Sequence, residues 1–266
     1  MNLDIGKAFI YPFQDRDWLK KCLIGSLFTL GCLFWQVAGY LANLPSEEDI
    51  DTFAQSYPTM SLFLIAAFFI ISIIAFISWF IIDGYHAKNT NLRIFKPNAP
   101  LLEWKNWGNI LFTGYKSLGV LFLYSIVLFT IIPGIGYCIF IVMLHEYTIS
   151  NIVFIIFMVF VSMVLCITFY GGTLAFKTDL RLYTYFNFIL IYKIIMKNFL
   201  NFFLYCLIIL ALGIFLTFIS VILLLTIVGI VFIPFVNFYM YLVYAELTAQ
   251  FLRNTLELNT LVEQGE

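Results

Sequence analysis

Charge is what this chain has least of. Only 11% of its 266 residues are Asp, Glu, Lys or Arg, where a soluble domain carries about a quarter, while 63% are hydrophobic. A net charge of −1 leaves no basic surface for nucleic acid. The five cysteines (Cys22, Cys32, Cys138, Cys166 and Cys206) form no C-x-x-C pair and all lie in or beside apolar runs. They read as buried thiols acting as small hydrophobes, not as a redox or metal centre. A leading basic segment with a short apolar core is also missing, since Asp4, Asp15 and Asp17 interrupt the first 21 residues. The sequence therefore predicts no cleaved signal peptide. His145-Glu146 lacks a second His four residues on, and neither a phosphate-cradling Gly-Lys loop nor a nucleophile elbow is present. No catalytic, cofactor-binding or metal-binding residues are assigned, and a non-enzymatic protein is expected.

What the chain has is apolar runs of membrane length, each near the ~20 residues a helical span requires. Six are read: Cys22–Leu41, Met60–Ile82, Leu118–Leu144, Ile152–Tyr170, Phe199–Leu225 and a last one ending near Phe251. The third contains Pro133-Gly134-Ile135-Gly136, read as a hinge at Pro133, Gly134 and Gly136 within one long kinked span, with a turn as the other reading. Thr226-Ile227-Val228-Gly229 is read as a hairpin before the sixth span. Pro234 falls in that span's first turn or two, where a missing N–H is tolerated. Gly171-Gly172 is expected to close the fourth span.

Sidedness follows from charge. All 14 Lys and Arg fall in the segments on one side of the six-span arrangement, while the opposite loops, including acidic Glu47, Glu48, Asp49 and Asp51, contain none. The positive-inside rule then makes both termini cytoplasmic. On that side run amphipathic segments expected to lie in the interface. Residues 1–21 place Trp18 at the boundary. A helix from Trp104 separates Trp104, Trp107, Leu111 and Leu118 from Lys105, Asn109, Thr113 and Lys116, and is expected to bend into the third span near Leu118. Trp18, Trp104 and Trp107 with Lys105 and Lys116 are the predicted interfacial anchors. The fold class is an all-α integral membrane bundle, one domain over 1–266. The order of segments suggests a pseudo-repeat of three units, 1–102, 103–180 and 181–266.

Glu246 is the one acidic residue inside an apolar run, and an ionisable group at that depth is a functional candidate by default. Gln250 and Arg253 follow it on one helix face, so an ion pair with Arg253 or a lysine is the plainer reading. Asn237 and Asn201 are lesser intramembrane candidates, adequately explained by interhelical hydrogen bonds. Asp83 and His86, one turn apart where the second span ends, read as a helix-end cap before a polar connection over residues 83–102, with a metal site or a pairing with a lysine as the other readings.

Glu103-Trp104 with Trp107-Gly108, and Gly229-Ile230-Val231-Phe232-Ile233-Pro234-Phe235 with Phe238-Tyr239, carry a resemblance, joined by Tyr11-Pro12-Phe13 and Asp17-Trp18-Leu19-Lys20-Lys21. These residues resemble the prokaryotic multi-pass membrane family catalogued as domain of unknown function 4013. Lys105-Asn106 departs from it, standing where acidic residues are expected between the tryptophans. The resemblance implies an integral protein of a prokaryotic plasma membrane and no particular activity. Two functions are carried forward. One is an envelope scaffold or accessory component contacting the lipid bilayer, a membrane or cytoplasmic protein, or further copies of itself. The other is a transporter of small molecules or lipids with a hinge at Pro133 and a carboxylate at Glu246.

Overall fold

A computed structural model describes residues 3–41, 57–126 and 148–263. Within them the chain is all-helical, with eight α-helices and no strand. They are α1 Ile5–Ile10, α2 Trp18–Leu41, α3 Pro58–Phe95, α4 Trp107–Ile126, α5 Thr148–Asp179, α6 Phe188–Ile195, α7 Phe199–Leu224 and α8 Ile227–Glu263. Short 3-10 turns cover Tyr11–Gln14 and Leu182–Phe186. Four stretches are long and apolar enough to cross a membrane: Thr59–Phe95, Val159–Asp179, Phe199–Leu224 and Gly229–Leu256. The acidic residues Glu47, Glu48, Asp49 and Asp51, the Pro133, Gly134 and Gly136 hinge, and the His145-Glu146 pair lie outside the described residues.

α8 is the axis of the bundle. Half of its most apolar window is buried, against none of α7's. From Leu242 to Leu252 only Tyr244 escapes full burial. A stretch so surrounded lies inside the bundle, whereas α7, the more apolar of the two helices, presents Leu207, Leu210, Ile214 and Phe218 outward. α8 packs on α2, α3 and α7, and α3 in turn packs most extensively on α4.

Two expected helix ends are helix interiors instead. α3 runs unbroken through Asp83 to Phe95, so residues 83–95 are not a connection and Asp83 and His86 are not a cap. Their polarity is absorbed because this half of α3 is packed against protein on several sides: Ile82, Tyr85, Asn89 and Arg93 are all buried. Likewise Gly171-Gly172 does not close the fourth span, since α5 continues to Asp179. A Cβ at Gly171 would come within 2.4 Å of Ile195, and one at Gly172 within 2.9 Å of the Tyr185 carbonyl. These glycines allow α6 and the second 3-10 turn to dock on α5.

The α3–α4 seam uses the same device. A Cβ at Gly84 would sit 2.0 Å from the Ile110 carbonyl oxygen, and one at Gly114 only 1.8 Å from that of Phe80. Small residues let the two backbones touch. The packed face of α4 is therefore Ile110, Thr113, Gly114 and Val120, all buried, while Trp107, Leu111 and Tyr115 remain exposed. The helix begins at Trp107 and passes Leu118 without a break, which replaces the expected helix from Trp104 with a junction at Leu118. Asn106 sets its start in a left-handed conformation (φ 57°) that Asn tolerates, its carbonyl accepting from Asn109 and Ile110 N–H. α6 has one buried and one exposed face. Asn187 caps it at 3.1 Å, Ile191, Ile194 and Ile195 face the bundle, and Phe188, Ile189 and Tyr192 are exposed. The thiols divide too: Cys22 is buried as expected, but Cys166 lies on the exposed apolar face of α5.

Candidate functional site

Glu246 sits at the centre of a buried polar knot. Arg93 Nε donates to its Oε2 at 2.5 Å, with neither side chain exposed. Its Oε1 accepts from Gln250 Nε2 at 3.1 Å and faces Arg253 Nη2 at 3.5 Å. Glu246, Gln250 and Arg253 share one face of α8 at helical spacing, so the face expected from the sequence is present. The partner that matters most came from elsewhere. The sequence places Arg93 in a polar connection, but α3 carries it to the bundle centre. The stripe Ile82, Tyr85, Asn89, Arg93 keeps helical spacing past Ile82, and that periodicity was the signal for it.

The N-terminal segment closes over this knot. Gln250 receives the Asp4 N–H at 2.8 Å and donates to the Asp4 carbonyl at 3.2 Å, while Asp4 caps α1 through Lys7 N–H at 2.8 Å. The Tyr11 ring lies 3.9 Å beneath the Arg93 guanidinium, and its hydroxyl donates to Asn89 at 3.0 Å. Burial pushes the Tyr11 phenol well above its ordinary range, against the opposing pull of Arg93. Arg93 Nη1 and Arg253 Nη1 each donate to a backbone carbonyl at 3.0 Å, those of Ala99 and Arg93 respectively.

A clasp lies beside the knot. Asp15, 5% exposed, pairs with Lys21 Nζ at 2.7 Å and accepts from Leu101 N–H at 2.9 Å and Asp17 N–H at 2.7 Å. Burial alone would raise the Asp15 carboxyl, but Lys21 and the two backbone donors outweigh it and hold the carboxyl below its usual range. Lys21 also donates to the Leu101 carbonyl at 2.8 Å, and its own carbonyl accepts from the Trp104 indole at 2.9 Å.

The predicted anchors separate accordingly. Trp104 is half-buried, stacked at 4.1 Å on Tyr85 and at 5.2 Å on Trp107. Trp18 is half-buried against Phe13 and Phe235, and Trp107 is exposed. Lys105 is exposed and pairs with Glu103, which lowers the Glu103 carboxyl. Lys116 sits 4.6 Å from the face of Phe112. Asn237 donates to Ile233 of its own helix at 3.0 Å, and Asn201 is half-buried on α7, so neither is drawn into the knot. Gly229 N–H donates to Thr226 Oγ1 at 2.9 Å within the first turn of α8; the reversal itself is Leu225-Thr226. Pro234 lies inside α8, and its carbonyl accepts from Thr29 at 2.8 Å.

A second polar cluster lies between α3, α4 and α5. Asp83 and His86 face Lys177, and Ser117 lies beside Asp83 while accepting from the Tyr185 hydroxyl at 3.0 Å. Asp83 Oδ2 and His86 Nε2 are shut off from solvent, with no hydrogen-bond partner among the described residues. Asn91 locks the junction by donating to the Lys177 and Thr178 carbonyls at 3.0 and 2.8 Å. Among the described residues no three His, Cys, Asp or Glu side chains converge with metal-ligand geometry.

No curated protein and no solved structure matches this chain. One family model does, over residues 67–225, a stretch holding Asp83, Arg93, Trp104, Lys116 and Lys177 but not Glu246. Of the motifs that carried the resemblance, Glu103-Trp104 with Trp107-Gly108 falls inside it. The match covers well over half of the sequence, and the chain belongs to the family described as protein of unknown function (DUF4013).

Proposed function

We propose that the protein is a non-enzymatic scaffold or accessory component of a prokaryotic plasma membrane, contacting lipid and a membrane or cytoplasmic partner. The observation that carries this reading is the saturation of Glu246. Both of its oxygens are engaged, by Arg93, Gln250 and Arg253, and the side chain has no exposure. A carboxylate so held is a structural keystone, with no free position for a substrate or travelling proton. Six spans are part of the proposal. α2, with 24 residues, would reach about 36 Å at ~1.5 Å per residue, enough to cross beside the four longer helices, and the sixth span of the proposal is the apolar run Leu118–Leu144, which α4 enters with Lys116 still at the interface. Both termini are placed in the cytoplasm on the charge asymmetry. The three-unit pseudo-repeat stays within this proposal on the order of segments alone.

The test is recovery of the full chain from native membranes. A stoichiometric partner that stays bound after mild solubilisation supports the scaffold reading. Substrate turnover or saturable uptake by the purified, reconstituted protein overturns it.

A permease remains the second reading, and the observation favouring it is the Asp83–His86–Lys177 cluster. Ionisable groups with unpaired buried atoms inside apolar helices are typical of ion and proton paths. Proton-coupled uptake in proteoliposomes that is abolished by Asp83→Asn would establish it over the scaffold.

A further inference from the structure

A pocket of about 640 Å³ opens on the flank of α3 and α4, within the ~300–1,000 Å³ usual for ligand sites. Its walls are Phe76, Trp79 and Phe80 of α3 and Tyr115, Gly119 and Phe122 of α4, with Lys116 as the only charged residue among those lining it. The two helices are antiparallel here, since Gly84 meets Gly114 and the Phe80 ring lies 6.0 Å from that of Tyr115. The pocket is therefore graded along its length. Lys116, Tyr115 and Phe80 mark the end towards the start of α4, and Phe76 and Phe122 mark the apolar end deeper in the helices.

Gly119 makes the groove. Among the described residues a Cβ there would meet nothing within 4 Å, so Gly119 faces open space between the two helices. Leu182 closes the polar end. An apolar trough of this shape, cationic at the interfacial end and free of lining carboxylates, is complementary to a molecule with a long hydrocarbon tail and a phosphate head.

We propose that this pocket holds one acyl chain of an anionic glycerophospholipid, with the chain lying along Gly119 and the phosphate at Lys116. The proposal deepens the lipid-contacting reading above and rests on the chain being inserted in a membrane. Interfacial lysines attract anionic headgroups, and amphipathic lysine stems lie readily along apolar walls.

Trp79 reports directly on occupancy. The full chain is reconstituted in nanodiscs of phosphatidylcholine containing a fixed fraction of either phosphatidylglycerol or phosphatidylcholine brominated on its acyl chains. The Trp79 signal is the difference between the parent and Trp79→Phe. Quenching per mole of brominated phosphatidylglycerol is expected to be about fivefold that of brominated phosphatidylcholine, the discrimination a single interfacial lysine supplies. Lys116→Gln should bring the two lipids to parity. Gly119→Leu, which adds a side chain into open space and leaves the packed face of α4 alone, should reduce quenching by both.

Equal quenching by the two lipids in the parent, or quenching untouched by Gly119→Leu, overturns the proposal. So does a Gly119→Leu variant whose solubilised particle loses the mass of one chain, because the occupant is then a second copy. Retention in the membrane after a carbonate wash is scored separately. Loss there overturns the membrane reading itself, and a retained protein without lipid selectivity overturns only the site.

Discussion

Arg93 and Glu246 stand 153 positions apart in the sequence and meet at 2.5 Å in the middle of the bundle, both without exposure. Removing one partner of such a pair strands a buried charge, at a cost of roughly 3–5 kcal/mol. Arg93→Ala and Glu246→Ala should each lower the thermal midpoint of the solubilised protein sharply. The double change Arg93→Met with Glu246→Leu should recover most of the loss, because neither charge is then left alone. A double-mutant cycle read by thermal unfolding in detergent checks this. Additive losses would mean that the two residues do not depend on each other.

Part of this relationship was legible beforehand and part was not. Glu246, Gln250 and Arg253 fall on one face because α8 has a regular period, and local periodicity is what a sequence displays. Arg93 was hidden by its setting among Asp83, His86, Lys88 and Asn91, a polarity normally found in a connection. The bundle accepts Asn89, Asn91 and Arg93 inside α3 because the 3-10 turn after α1, α5 and α8 each bring partners to them: Tyr11, the Lys177 and Thr178 carbonyls, and Glu246. Such partners are tertiary facts with no trace near residue 93. Gly171-Gly172 misled for the same reason. A glycine pair that ends a helix and one that admits a neighbouring helix look alike in sequence, and only Ile195 and Tyr185 decide between them.

The small-residue seam between α3 and α4 makes a sharp comparison. Gly84→Ala and Gly114→Ala place a methyl on a backbone carbonyl, at 2.0 and 1.8 Å before relaxation, so the helices must separate. Gly119→Ala meets nothing within 4 Å and gains helix propensity, about 0.5–1 kcal/mol by the usual scale. Thermal midpoints should fall for the first two and hold or rise for the third. Equal behaviour of all three would remove the seam as a stabilising contact.

Asp15 predicts an acid-sensitive clasp. Its folded pKa is lowered, so the pair with Lys21 adds stability above the unfolded value of about 3.9 and loses it as pH falls through the folded value. Asp15→Asn should be less stable than the parent at pH 7, and the gap should close progressively below about pH 4. Melting curves of both proteins from pH 7 to pH 3 in the same detergent test the sign. A gap that widened on acidification would contradict it.

Trp104 and Trp107, three residues apart, were both expected to anchor the chain in the interface, yet their surroundings differ. Trp104 stacks on Tyr85 at 4.1 Å and on Phe28 at 5.7 Å, and its indole N–H reaches the Lys21 carbonyl at 2.9 Å. It thus ties α2 and α3 to the segment entering α4. Trp107 is 41% exposed and touches the cluster mainly through Trp104 and Phe28. Truncating a packed aromatic typically costs about 3–5 kcal/mol, so Trp104→Ala should destabilise the bundle on that scale. Trp107→Ala should cost at most a third as much and act instead on how the start of α4 meets lipid. Thermal unfolding ranks the two for stability. Quenching by lipids brominated near the headgroup ranks them for membrane contact, where removing Trp107 should take away the larger share of the quenched signal. If the two substitutions destabilised equally, Trp104 would be an anchor like its neighbour and not the pin that joins three helices.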